Sequence, residues 1–410
     1  MSTIGIISEY NPFHNGHKYL LDTALEKTGA DYSVALMSGN FTQRGIPAMA
    51  DKFTRAEAAV ISGIDVVFEL PVLFATGSAR DFATGAVSIF DRMKNIDYIA
   101  FGVENDSEDL FNEVADIIYS EPPAFKDMLS QQFSKGQNYA AACGYALKEI
   151  LGNDTVEIIS KPNNILAISY FVALRKLGSK IRPIIVKRND GGYFNTQLSG
   201  TYSSATAIRH ALSNNIDISE YVPRKSLKVY EEYFKKPLPD ADWLTPYLAS
   251  RLIYDRNLPA DITMIDGIMD MTPELLNRLR KAPLPMRQLE LSDYLKTKNL
   301  TMTRVNRVLI HLILGIQDKD RQLALNNGCS DYINLLALNK DKSKLLKEIE
   351  EKSDLEIINK KSAFTPHSRL SHRMWEMDRL ATDFYNQLIY ENMNIRLHSE
   401  LSSSVRSVKL

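Results

Sequence analysis

Three observations in the 410-residue sequence predict an α/β fold, in which a doubly wound parallel sheet is followed by a mostly helical C-terminal region. Short runs rich in Ile and Val alternate with amphipathic segments through the first half of the chain. These runs carry few charges, as strands covered by helices on both faces do. Beyond Ser219 the alternation stops, and helical patterns separated by Pro-rich segments dominate.

Each element is predicted from its periodicity. The strands are residues 4–8, 33–38, 66–70, 98–102, 157–160 and 181–187. The helices between them are residues 17–28, 52–62, 79–93, 108–120 and 164–177. In the second half, helices are predicted at residues 243–254, 273–281, 303–314, 342–352 and 368–390. We therefore divide the chain near residue 220, into an α/β domain of residues 1–220 and a mostly helical region of residues 221–410.

Composition excludes several classes of protein. The longest apolar stretch, residues 64–75, contains Asp65, Glu69 and Pro71, so no segment resembles a membrane span of about 20 residues. The N-terminus has no basic segment of a signal peptide. Cys143 and Cys329 lie far apart without metal or redox spacing, as in a cytoplasmic protein with reduced thiols. The net charge of -1 gives no overall attraction to nucleic acid, so any site for a polyanion must be local.

The turn after the first strand reads SEYNPFHNGH, residues 8–17. Pro12 ends the strand, and Gly16 allows the backbone to approach a ligand. If a helix begins near Asn15, His14 and His17 project from its first turn toward the same side. The carboxyl end of a parallel strand followed by a helix N-terminus favours phosphate, and imidazoles there can donate to phosphoryl oxygens. The turn therefore predicts a nucleotide site.

Two other interpretations of this turn stay open. It can be a surface turn that holds two histidines by chance, because a chain with seven histidines readily contains the H-x-x-H spacing. It can also bind a metal, although no third His or Cys lies nearby in sequence. The position directly after the first strand favours the nucleotide site, and we predict no metal site.

Residues 14–17, HNGH, resemble the H-x-G-H signature of the nucleotidyltransferase superfamily that includes the class I aminoacyl-tRNA synthetases. Residues 203–209, SSATAIR, resemble the second signature of that superfamily, a hydroxyl-rich turn that leads to an arginine. Physically, hydroxyls at a helix start and an arginine form a phosphate clamp, here Ser203, Ser204, Thr206 and Arg209. An ordinary helix cap with a solvent-facing arginine is the alternative. The resemblance implies a Rossmann-like nucleotidyltransferase domain.

Five motifs in order resemble a narrower family, the bacterial tRNA(Met) cytidine acetate ligases. They are residues 9–17 (EYNPFHNGH), 37–45 (MSGNFTQRG), 68–71 (FELP), 101–102 (FG) and 161–166 (KPNNIL), with a looser likeness in residues 297–316. The resemblance implies that ATP, with Mg²⁺, activates acetate as acetyl-adenylate. The acetyl group then passes to the wobble cytidine of elongator tRNA(Met), and protein partners stay unknown.

The resemblance also implies an ATP site, with His14 and His17 as catalytic residues on the phosphates. The ATP-binding residues it implies are Ile7, Ser8, Glu9, Tyr10, Asn11, Pro12, Phe13, His14, Asn15, Gly16, His17, Lys18, Tyr19, Leu20, Gly102, Asn163 and Arg188. Gly102 can instead serve a strand-end turn, Asn163 a helix cap, and Arg188 the surface. The loop at residues 38–45 follows the second strand and can hold acetate or close over the adenylate, or be a flexible surface loop. Glu69 can orient a cation or form a buried structural ion pair.

A tRNA substrate predicts an RNA surface beside the ATP site, because water destroys an acyl-adenylate that waits for its acceptor. Basic residues outnumber acidic ones between residues 277 and 307. The candidate tRNA contacts are Arg278, Arg280, Lys281, Lys296, Lys298, Arg304 and Arg307. A solvated helical face produces the same bias.

Two other functions compete with the ligase. The chain can be an adenylyltransferase for a small phosphorylated metabolite, or an RNA-binding protein that has kept the fold without the chemistry. The presence of both His14 and His17 argues against the second of these.

Overall fold

A computed structural model of the protein describes residues 1–188, 198, 202–257 and 265–410. Its strands are β1 Thr3–Ser8, β2 Tyr32–Ser38, β3 Val66–Leu70, β4 Tyr98–Val103, β5 Arg182–Lys187, β6 Tyr332–Asn339, β7 Glu356–Ile358 and β8 Arg406–Val408. The first helices are α1 Asn15–Thr28, α2 Lys52–Ile61, α3 Val72–Ala75, α4 Ala79–Met93, α5 Glu108–Ser120, α6 Pro123–Ser134, α7 Tyr139–Leu151, α8 Asp154–Ser160 and α9 Pro162–Leu177. The later ones are α10 Ala205–Ser213, α11 Arg224–Phe234, α12 Thr245–Asn257, α13 Pro273–Arg280, α14 Gln288–Leu295, α15 Met302–Leu314, α16 Asp318–Asn326, α17 Ser343–Lys352 and α18 Arg369–Met393.

The eight described strands form one sheet in the order β5-β4-β1-β2-β3-β6-β7, and β8 also pairs with β6. All neighbours are parallel except β3 and β6. The order reverses at β1, which has β2 on one side and β4 on the other. In such sheets ligands bind outside the carboxyl ends of the strands at the point of reversal, here beyond Ser8 and Val103.

The predicted α/β fold is confirmed, with one predicted strand wrong and three strands missed. Residues 157–160 belong to helix α8, not to a strand, and the buried Thr155 and Ile158 lie three residues apart on one of its faces. The second half is mostly helical, as predicted, but it also supplies β6, β7 and β8 to the sheet. The division near residue 220 stays a prediction.

A buried network of charges joins the second half to the sheet. The Lys52 ammonium lies 2.6 Å from a carboxylate oxygen of Glu69 and 2.6 Å from one of Glu400. The amide of Asn334 in β6 donates to both carboxylates. Lys52, Glu69 and Glu400 are all at most 5% exposed, so Glu69 has the structural role of a buried ion pair.

Both cysteines are buried and free. Among the helices that the structure describes, none has the length and apolar character needed to cross a bilayer.

Candidate active site

A cleft opens at the reversal point of the sheet, beyond the carboxyl ends of β1 and β4. Predicted residues that line it are Ile7, Ser8, Glu9, Tyr10, Asn11, His14, His17, Leu20, Gly102, Asn163, Arg188, Ser204, Thr206 and Arg209. Gly16 and Tyr19 line an adjoining apolar cavity with Tyr202. The structure thus brings together residues from the two predicted signatures, which are almost 200 positions apart in sequence.

The two histidines form the N-terminal cap of helix α1. Nδ1 of His14 accepts the backbone N–H of Gly16 at 3.0 Å, and Nδ1 of His17 accepts the backbone N–H of His14 at 3.3 Å. The two rings lie side by side, with centroids 3.8 Å apart and an angle of 34° between their planes. Because both Nδ1 atoms accept, a neutral ring carries its hydrogen on Nε2. The pair therefore offers two N–H donors at the helix N-terminus.

His14 is held in its neutral form. Burial, with the nearby positive charges of Arg188 and Arg209, lowers the pKa of His14 to about 3. A neutral imidazole donates a hydrogen bond without adding a full charge, while the two arginines supply positive charge. The cleft therefore suits an anionic ligand such as a phosphate.

Arg209 and Arg188 reach the cleft from different elements, Arg209 from helix α10 and Arg188 from the end of strand β5. Ser204 caps helix α10 by accepting the N–H of Ala207 at 3.1 Å, and Arg209 on that helix donates to the carbonyl of Asn11 at 2.6 Å. Arg188 follows β5 and packs over Gly102, where an added Cβ would lie 3.1 Å from its Cγ. Gly102 thus makes room for the arginine. Ser203 is buried beside this cap but does not line the cleft.

Asn163 is oriented by an acidic residue that the sequence analysis missed. Its side-chain amide donates to Oε1 of Glu104 at 2.7 Å, and Oε2 of Glu104 accepts the backbone N–H of Asn164 at 3.1 Å. Glu104 directly follows β4 and holds the start of helix α9. A further hydrogen bond joins Glu104 to helix α9. The backbone N–H of Glu104 donates to Oδ1 of Asn164 at 2.8 Å.

Four residues of the predicted ATP segment do not line either cavity. Phe13 is fully buried, and its N–H donates to the hydroxyl of Tyr230 at 3.1 Å. Asn15 donates its side-chain amide to the carbonyl of Glu220 at 2.8 Å, and Lys18 pairs with Asp22 on the exposed side of α1. Pro12 is buried in the turn. Pro12 and Phe13 precede helix α1. Asn15 and Lys18 lie on α1 but point away from the cleft, because neighbouring positions on a helix face different directions.

Several lining residues were absent from the predicted site. They are Gln43, Arg44, Ala79, Phe82, Phe101, Pro162, Leu166, Tyr170 and Ala205. Gln43 and Arg44 belong to the glycine-flanked loop after β2, which is the signal that pointed to them. Phe82 and Tyr170 lie within helices α4 and α9, where sequence alone does not distinguish a core aromatic residue from one that lines a cleft.

The sequence matches a known family over almost its whole length. The model of the HIGH nucleotidyl transferase family matches residues 1–400. A tRNA(Met) cytidine acetate ligase of Thermoanaerobacter sp. (strain X514) is 37% identical over 400 residues, which cover 96% of this chain and 97% of that protein. The chain belongs to the tRNA(Met) cytidine acetate ligase family.

Two crystal structures of Thermotoga maritima TmcAL share the fold over the full length of both chains. The apo form superposes with a TM-score of 0.92 at 29% identity. The form bound with alpha-thio ATP superposes with a TM-score of 0.90 at 28% identity. This chain and TmcAL of Thermotoga maritima thus share one fold, a mostly parallel sheet with a mostly helical C-terminal region.

The basic residues of residues 277–307 divide into two groups in this member of the ligase family. Exposed ones are Arg280, Lys281, Lys296 and Lys298, whereas Arg278, Arg304 and Arg307 are half-buried. Arg278 stacks on the ring of Tyr294 at 5.6 Å, and Arg280 lies 3.7 Å from Asp255. The tRNA contacts stay a prediction.

Helix α15, which carries Arg304 and Arg307, packs against a loop that lines the cleft. A Cβ added at Gly45 would lie 2.4 Å from the backbone nitrogen of Arg307. Gly45 belongs to the same tight loop as Gln43 and Arg44, which line the cleft. The candidate RNA face therefore adjoins the candidate ATP site in the ligase-family fold.

Among the residues that the structure describes, no group of three or more His, Cys, Asp and Glu side chains could hold a metal ion.

Proposed function

We propose that the protein acetylates the wobble cytidine of elongator tRNA(Met), with acetate and ATP as substrates and acetyl-adenylate as the intermediate. The observation that carries the proposal is the neutral His14 and its partner His17 at the start of α1, flanked by Arg188 and Arg209. Family membership supports it, because the relatives are named tRNA(Met) cytidine acetate ligase. TmcAL of Thermotoga maritima, with the same fold, binds alpha-thio ATP.

In the first step an acetate oxygen attacks the α-phosphorus of ATP, and pyrophosphate leaves. Negative charge builds on the phosphoryl oxygens as the leaving group departs. The Nε2–H groups of His14 and His17 donate to those oxygens, and the guanidinium groups of Arg188 and Arg209 balance their charge. Mg²⁺ that accompanied ATP would neutralise further charge on the phosphates, beside the guanidinium groups of Arg188 and Arg209.

In the second step the acetyl-adenylate passes its acetyl group to the RNA. The buried aromatic residues Phe101 and Tyr170 cover one side of the cleft and limit the access of water to the mixed anhydride. The tRNA reaches the other side, over the loop of Gln43 to Gly45 and helix α15. The cytoplasmic location stays a prediction.

The decisive experiment incubates the purified protein with ATP and labelled acetate, with and without tRNA. We expect acetate-dependent exchange of pyrophosphate into ATP, and N4-acetylcytidine in the nucleosides of the treated tRNA. Exchange that requires a phosphorylated metabolite in place of acetate would support an adenylyltransferase. Tight binding of tRNA with no turnover would support the RNA-binding protein.

The histidine pair is tested in the same assay. We expect His14→Ala and His17→Ala each to slow pyrophosphate exchange by about 10²- to 10³-fold, the loss typical for one donor to a developing oxyanion. The control is His367→Ala, because His367 is exposed beside Glu356 of β7, which lies four strands from β1 in the sheet. Full activity in both cleft variants would refute the role of the pair.

A further inference from the structure

Glu9 stands out by its charge among the residues that line the cleft. Of the described lining residues it alone is acidic, whereas Arg44, Arg188 and Arg209 are cationic. A carboxylate repels acetate and phosphates, and its position in a site for anions is therefore unfavourable unless it meets a hydrogen-bond donor. The proposed acetyl acceptor, an amine, is such a donor.

Two hydrogen bonds fix the position of Glu9. Its Oε1 accepts the backbone N–H of Gln43 at 2.8 Å, and its carbonyl oxygen accepts from the guanidinium of Arg55 at 2.6 Å. Arg55 is fully buried and also donates to the carbonyls of Ser38 and Ala50. The turn after β1 and the loop after β2 are thereby held together, with the carboxylate between them. A carboxylate has about four acceptor sites, so Glu9 keeps capacity for a further donor.

The carboxylate faces the side of the cleft that the RNA is proposed to approach. Its partner Gln43 lies two residues before Gly45, which packs against the backbone of Arg307 on helix α15. Gly102, Asn163 and Arg188 belong to the opposite side, beyond β4 and β5. Glu9 thus lies between the proposed nucleotide side and the proposed RNA side.

We propose that Glu9 is the general base of the acetyl-transfer step, an inference that rests on the proposed function. The exocyclic nitrogen of cytidine attacks the carbonyl carbon of acetyl-adenylate, a C–N bond forms, and the bond from that carbon to the phosphate oxygen breaks. AMP leaves with the electron pair of the broken bond. The Glu9 carboxylate takes the proton that the nitrogen loses and releases it to solvent. The cytidine amine needs this assistance because its lone pair is delocalised into the ring.

The test compares the two half-reactions in Glu9→Gln, which keeps the oxygen that accepts the N–H of Gln43. We expect Glu9→Gln to lower acetate-dependent pyrophosphate exchange much less than it lowers acetyl transfer to tRNA. Formation of N4-acetylcytidine should fall by about 10²- to 10⁴-fold, the usual contribution of a general base. Binding of tRNA should be unchanged, and Glu9→Asp should restore part of the acetyl transfer.

Hydroxylamine provides a readout that a structural role of Glu9 would not produce. It is a strong nucleophile that attacks acetyl-adenylate without a base, so in Glu9→Gln the rate of acetohydroxamate formation should follow the rate of pyrophosphate exchange and not that of tRNA acetylation. Acetylation of tRNA by Glu9→Gln within threefold of the parent would overturn the proposal. Equal losses of exchange, hydroxamate and tRNA acetylation would overturn it too, by placing Glu9 on the ATP side. If the parent itself shows no acetate-dependent exchange, the proposed function fails instead.

Discussion

The side-chain amide of Asn163 donates to the carboxylate of Glu104 at 2.7 Å, so the NH₂ group of Asn163 points toward Glu104. The same carboxylate accepts the backbone N–H of Asn164 and anchors the start of helix α9. One amide hydrogen of Asn163 is thus engaged by Glu104, and its Oδ1 can accept from a donor of the ligand. Glu104 is therefore a positioning residue for Asn163.

We expect Glu104→Ala to raise KM for ATP in pyrophosphate exchange by about tenfold, with a smaller change in kcat, because about one charge-assisted hydrogen bond is lost. The measurement is the rate of exchange as a function of ATP concentration. Glu108→Ala is the control, since Glu108 is exposed at the start of α5. An unchanged KM in Glu104→Ala would contradict the positioning role.

The buried His14 makes stability depend on pH. Its pKa is lowered to about 3 in the folded protein, below the value of about 6.5 in an unfolded chain. Between these values the unfolded state binds more protons, so the contribution is fully present above about pH 6.5 and is lost as pH falls toward 3. We expect the free energy of unfolding to fall less between pH 7 and pH 5 in His14→Asn, which keeps an acceptor for the helix cap.

Urea unfolding at pH 7, 6 and 5 measures this difference, and its sign is the test. His367→Asn serves as the control because His367 is exposed. The same loss of stability with falling pH in His14→Asn and in the parent would show that His14 does not cause the pH dependence.

Gly45 is expected to be intolerant of a side chain for two reasons. Its φ is 70°, and an added Cβ would lie 2.4 Å from the backbone of Arg307. Gly136 has a similar φ of 76° with nothing within 4 Å of an added Cβ, and Gly136→Ala therefore isolates the backbone cost of about 1 kcal/mol. We expect Gly45→Ala to lose more stability than Gly136→Ala and to lower tRNA acetylation as well.

Thermal unfolding and acetylation rates of the two glycine variants provide the comparison. Since Gly45 joins the loop of Gln43 to helix α15, displacement of this loop should affect acetyl transfer more than pyrophosphate exchange. Equal stability and equal activity of Gly45→Ala and Gly136→Ala would show that the contact with α15 is dispensable.

The exposed lysines Lys296 and Lys298 are expected to contact phosphates of tRNA. We expect the double change to Ala to weaken tRNA binding by about tenfold and to reduce the slope of log Kd against log salt concentration by about 1 to 2. Binding is measured at several salt concentrations.

The matched control removes two positive charges at the end of the sheet opposite to the cleft. Lys344 and Lys347 are exposed on helix α17, which follows β6 at the end where β6 meets the start of β3. Their double change to Ala should leave the affinity and the salt slope near the parent values. If both double variants weakened tRNA binding equally, the net charge of the protein and not a local RNA surface would account for the binding.

The sequence alone was sufficient for features that depend on neighbouring residues. The strands β1 to β4, the helix that starts at Asn15 and the pair His14 and His17 follow from local periodicity and from a contiguous motif. The strand predicted at residues 157–160 was wrong because a short apolar run fits a helix or a strand, and its partners decide which.

Only the tertiary structure decided which distant segments pair, pack or form ion pairs with one another. The antiparallel pairing of β6 with β3, the network of Lys52, Glu69 and Glu400, and the contact of Gly45 with Arg307 join segments separated by hundreds of residues in sequence. Glu104 and Tyr170 likewise became part of the site only when α9 packed beside β4. Periodicity reports which side of an element is buried, whereas register, partner and burial of charge are determined by packing of the whole chain.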